Sequence, residues 1–134
     1  MNHLIRLFWG AALALVVTAG LGASAVYAQT SPDTLRTTGQ ASYYADDLAG
    51  NPTASGQPYD PDALTASHRT LPFGTYVKVT RPFTEDTVTV MINDRGPQKE
   101  ERILDLSRSA AEALNMIDAG VAEIEIEIVD GPDE

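Results

Sequence analysis

Cysteine is absent from the sequence. Such a chain makes no disulfide even in an oxidising compartment and offers no thiol for lipid attachment at a processed N-terminus. Positive charge is scarce: 9 Lys and Arg stand against 19 Asp and Glu, for a formal net charge of −10. An acidic surface repels nucleic acid and anionic lipid, so neither is an expected partner. Aromatics make up 7% of residues and the single tryptophan is Trp9, so any ring platform further along must come from Tyr or Phe. The longest apolar run starts at Leu7 and is broken by Thr18, Gly20, Gly22 and Ser24. A bilayer span needs roughly 20 predominantly apolar residues. No internal repeat or low-complexity tract is present.

The first 28 residues have the order of an export signal: a short basic start at Arg6, the apolar stretch from Leu7 to Val17, then small residues ending in Val26-Tyr27-Ala28. This predicts cleavage before Gln29 and a soluble product in the periplasm or cell envelope, without a membrane anchor. Loss of Arg6 takes the net charge from −10 to −11. The remaining chain, roughly 106 residues, is one domain and is expected to be a monomer. Residues 29–38 are polar and read as a flexible linker, 39–130 as the domain, and 131–134 as a tail.

Within the domain the dominant period is two. Ala41, Tyr43 and Ala45 alternate with Gln40, Ser42 and Tyr44. Val77 and Val79 alternate with Lys78 and Thr80, and Val88, Val90 and Ile92 with Thr87 and Thr89. Ile124, Ile126 and Ile128 alternate with Glu123, Glu125 and Glu127. These segments, with Ala63–Ser67 and Ile103–Leu106, predict strands. Pro82 to Asp86 joins two of them as a hairpin. Ser107 reads as the cap of a short helix from Arg108 to about Met116. Asp46 to Asp62 and Asn93 to Pro97 carry loop chemistry, and long loops in compact domains are often functional. The fold class is mainly β, a small barrel with one short helix.

Five segments, in order, resemble one family. Gly39-Gln40-Ala41-Ser42-Tyr43-Tyr44 is similar to its opening GxASWY strand. Thr53-Ala54-Ser55-Gly56 with Tyr59-Asp60 is similar to TASGxxYD, and Ala63 to Thr75 to ALTAAHxTLPFGT. Asn93-Asp94-Arg95-Gly96-Pro97 and Arg102 to Ser107 are similar to NDRGP and RIIDLS. The chain thus resembles the RlpA-like double-psi β-barrel family, related to expansins and barwin domains. The resemblance implies a six-stranded double-psi β-barrel. It also implies lytic transglycosylation of peptidoglycan glycan strands, and no metal or cofactor. An expansin-like module that binds such glycans without cleaving them is the alternative. Relatives often carry an appended glycan-binding repeat domain; here the expectation is of the barrel alone.

Lytic transglycosylation needs a group that protonates the leaving oxygen and a group that takes the proton of the attacking sugar hydroxyl. The resemblance makes Asp94 the first candidate acid, His68 its partner and Asp60 a supporting carboxylate. A histidine suits proton relay because its reference pKa is about 6.5. From composition alone Asp94 and Asp60 read equally as turn residues and His68 as a hydrogen-bonded structural residue. Asp105 matches an expansin aspartate and reads otherwise as a cap before Ser107. Tyr44, Tyr59, Thr53, Gln57, Asp105 and Arg95 are the expected substrate contacts. Gln57 stands where the resemblance has Glu, and Gln neither gives nor takes a proton as a carboxyl group does. Leu48-Ala49-Gly50-Asn51 likewise replaces a His-bearing FHGR segment.

Overall fold

A computed structural model describes residues 36–132; the expected signal peptide and most of the expected linker lie outside the described residues. The elements are β1 (Arg36–Tyr43), a 3-10 turn (Asp46–Leu48), β2 (Thr65–Ser67), β3 (Tyr76–Arg81), β4 (Asp86–Asp94), β5 (Arg102–Leu106), helix α1 (Arg108–Ala113) and β6 (Ala122–Val129). The six strands close into a barrel in the order β1-β5-β2-β4-β3-β6. Closure removes the unpaired edges that an open sheet of this size would expose.

The period-two pattern produces the barrel directly. Val77, Val79, Val90, Ile92, Leu104, Leu106 and Ile124 are buried inside it, each contributing about 1.5–3 kcal/mol by leaving water. Their neighbours along each strand face outward. Ile128 departs from the expected stripe: Ile124 and Ile126 are buried, but Ile128, next to the end of β6, is 39% exposed. Helix α1 closes the barrel with Ala110 and Ala111, and Leu114 and Met116 follow them into the core. Ser107 caps α1 by accepting from Ala110 N at 3.2 Å, and the helix stops at Ala113, short of the expected Met116.

Two strand limits differ from the sequence expectation. β1 begins at Arg36 and pairs with β6 from there, so residues read as linker join the sheet. β4 runs to Asp94, which puts Asp94 at the end of a strand rather than on a free loop.

The register builds the site. β1 and β5 are parallel, with Ser42 opposite Asp105. β5 and β2 are antiparallel, with Asp105 opposite Ser67. β2 and β4 are parallel, with Ser67 opposite Asp94. Ser42, Asp105, Ser67 and Asp94 therefore form one transverse row across four adjacent strands. In both parallel pairs the register shifts just before this row, at Gln40/Ala41 and at Ala66/Ser67. Such irregularities re-aim side chains at a barrel rim.

Candidate active site

The row opens into a cleft of about 600 Å³ whose walls include Tyr44, Leu48, Asp94, Arg95, Arg102, Asp105 and Val121. Two carboxyl groups, Asp94 and Asp105, thus face one solvent-open space. Asp94 is held by three donors. The backbone N–H groups of Ala54 and Arg95 both reach Oδ1 at 2.8 Å, and the Tyr44 hydroxyl donates to Oδ2. Asp105 accepts from the Ser42 hydroxyl at 2.5 Å, and Arg102 Nε lies 4.0 Å from the same oxygen. Asp105 does not cap the helix; Ser107 does, so the Asp105 side chain remains turned to the cleft.

The remaining expected residues take varied places. His68 is half-buried and its Nδ1 accepts from Thr70 N and Leu71 N, both at 3.1 Å. It meets Asp94 through the backbone, from His68 N to Asp94 O at 3.1 Å. Burial lowers the His68 pKa from its ordinary value, and the Arg69 and Arg95 charges lower it further. Arg95 donates to the carbonyls of His68 and Leu71 at 3.1 and 2.8 Å and lies over the Phe73 ring at 4.1 Å. That holds the His68–Leu71 turn against the cleft wall. Asp60 accepts from Asp62 N at 2.9 Å in its own turn and lines a separate groove with Gln57.

Gln57 accepts from Asn93 Nδ2 at 3.2 Å and, like Asp60, is not among the residues lining the Asp94 cleft. Thr53 closes its loop by donating to Gln57 O at 2.7 Å. Tyr59 is buried and stacks on Tyr44 with ring centroids 4.5 Å apart. Its hydroxyl accepts from Arg108 N at 3.1 Å, and burial raises its pKa. Burial, followed by the bond to Asp94, pushes the Tyr44 phenol well above the ordinary tyrosine range.

The structure brings into the site residues that the sequence motifs contain but that are not among the expected site residues. Ser42 and Arg102 flank Asp105, and Gly96 roofs the row with a φ of 130°, a conformation that favours glycine. Ser67 is 1% exposed and stands opposite both Asp105 and Asp94 in the strand register. Only the strand register brings these residues together, and register between distant strands leaves no local signature in a sequence.

The family model described as lytic transglycolase matches residues 36–126, which span every strand of the barrel but the end of β6. The chain belongs to the lytic transglycolase family. Among its relatives is the probable endolytic peptidoglycan transglycosylase RlpA of Treponema pallidum (strain Nichols), 52% identical over 92 residues, or 69% of this chain and 29% of that protein. The protein of the same name from Synechocystis sp. is 41% identical over 130 residues, covering 96% of this chain and 40% of its own length. The chain thus spans less than half the length of these two relatives. Among solved structures, an expansin of Clavibacter michiganensis is similar, with 29% identity and a TM-score of 0.58 over 74% of this chain and 52% of that one. The lytic transglycolase barrel is accordingly the double-psi form that the sequence motifs imply.

Proposed function

We propose that this cleft cleaves peptidoglycan glycan strands by lytic transglycosylation, with Asp94 as the reacting group. The observation that carries the reading is the pairing of Asp94 and Asp105 in one open cleft on a rigid strand row. Asp94 protonates the glycosidic oxygen as the C1–O bond breaks. The same group, now a carboxylate, takes the proton of the sugar's 6-hydroxyl as O6 bonds to C1. The product is a 1,6-anhydro end, and Asp94 regains its proton. Asp105 faces the positive charge that develops at the ring and stabilises it. No step calls for a metal or cofactor.

In this reading His68, Asp60 and Thr53 shape the loops that frame the cleft, Arg95 clamps its wall, and Leu48 and Val121 offer apolar rim to the sugars. The protein is exported to the cell envelope, where the substrate is. The expansin-like alternative, glycan binding without cleavage, draws on Gln57 in place of Glu. Gln57 is not among the residues lining the Asp94 cleft and bonds Asn93, the chain neighbour of Asp94.

Kinetics on purified glycan strands separate the two carboxylates. Asp94→Asn is expected to lower the rate by about 100-fold or more, the usual share of general acid–base catalysis. Asp105→Asn is expected to lower kcat by a smaller factor. Wild-type protein that pulls down the strands yet releases no fragment would leave only the binding reading.

A further inference from the structure

We infer that Tyr44 is a positioning residue that selects the working lone pair of Asp94, rather than a platform for a sugar ring. The inference rests on the assignment of Asp94 as the reacting group. A carboxylate presents about four acceptor positions, two on each oxygen. On Asp94, Oδ1 receives two backbone amides, from Ala54 and Arg95. Oδ2 receives the Tyr44 hydroxyl. Among the described residues this leaves one acceptor position, on Oδ2, and that is where a proton can be handed to substrate and taken back.

The phenol suits this task in both protonation states. When Asp94 is ionised, Tyr44 donates to Oδ2. When the open position of Oδ2 carries a proton, the other lone pair of that oxygen still accepts from Tyr44. The hydrogen bond thus persists through the proton transfers, and the carboxyl plane does not rotate between them.

The ring of Tyr44 is also committed elsewhere. It stacks on Tyr59 at 4.5 Å with an interplanar angle of 23°. Tyr59 is 4% exposed and is fixed by Arg108 N, which donates to its hydroxyl at 3.1 Å. Tyr44 N donates to Leu106 O at 3.0 Å, anchoring the backbone to β5. A braced line therefore runs from the start of α1 through two tyrosines to Asp94. A ring with one face against Tyr59 and its hydroxyl on a carboxylate is held as a strut.

The variant Tyr44→Phe separates the roles, since Phe keeps the stacking ring and loses the hydroxyl. The expected result is a kcat at least tenfold lower with KM within twofold of wild type, and a melting temperature close to wild type. Tyr44→Phe with unchanged kcat, together with a raised KM in Tyr44→Ala, would overturn the inference in favour of a sugar platform. A second readout does not depend on catalysis. The side-chain carboxyl carbon of Asp94, assigned in the NMR spectrum by its loss in Asp94→Asn, is expected to shift in Tyr44→Phe while that of Asp105 does not. An unmoved Asp94 resonance would refute the contact between the two side chains. Absence of cleavage by the wild type would refute the enzymatic reading alone and leave this resonance to decide the contact.

Discussion

His68 shows how one side chain can hold a loop through its protonation state. Its Nδ1 accepts two backbone amides, which only the neutral ring can do. Burial and the two neighbouring arginines lower its pKa in the fold. A lowered histidine pKa means the unfolded chain binds the proton more readily, so stability rises with pH across the window between the folded and unfolded values. The contribution is present above the unfolded value of about 6.5 and is lost as pH falls through the lower folded value. Asn at this position can accept the same amides through its side-chain oxygen and does not titrate. His68→Asn is therefore expected to lose less melting temperature than wild type between pH 7 and pH 5, read by thermal unfolding. An identical loss in both proteins would show that the ring does not act as this acceptor. From the sequence His68 is legible as a residue of interest, but not its use by the turn that follows it, because that depends on which nitrogen meets which amide.

At the level of elements, Ser107 joins three of them. Its hydroxyl caps α1 through Ala110 N at 3.2 Å and donates to Ala63 O at 2.6 Å, just ahead of β2; it directly follows β5 and is fully buried. Ser107→Ala removes a cap and leaves the half-buried Ala63 carbonyl without this donor. The loss expected from denaturant unfolding is about 1–3 kcal/mol. A change below about 0.5 kcal/mol, the ordinary range for a surface substitution, would show that the cap and the Ala63 bond contribute little. The cap itself is readable from Ser107 followed by an Ala-rich run. The strands are readable too, because Val77, Val79, Val88, Val90 and Ile92 alternate without interruption. Their ends are not: the pattern of β4 fades at Asn93 and Asp94, where polar residues on a strand mimic a loop. Arg36 to Thr38 likewise carry no apolar alternation, and only pairing with β6 makes them strand.

For the whole molecule, the barrel is a device for lining up residues that lie far apart in sequence. Ser42, Asp105, Ser67 and Asp94 come from four strands and meet in one row. Family motifs make the fold and Asp94 legible in the sequence. The row is not legible there, since parallel pairing and its two register shifts are tertiary facts. Asp60 and Gln57 line a groove together with Asn93, the chain neighbour of Asp94. The reaction proposed for the row has one chemical signature that no simple hydrolase shares: the attacking oxygen comes from the sugar itself. Digestion of purified glycan strands in water labelled with heavy oxygen, read by mass spectrometry, tests this directly. The wild type is expected to release 1,6-anhydro ends without the label, and Asp94→Asn to release them at a rate lower by about 100-fold or more. Reducing ends carrying the label, or equal release of anhydro ends by Asp94→Asn, would contradict the proposed reaction.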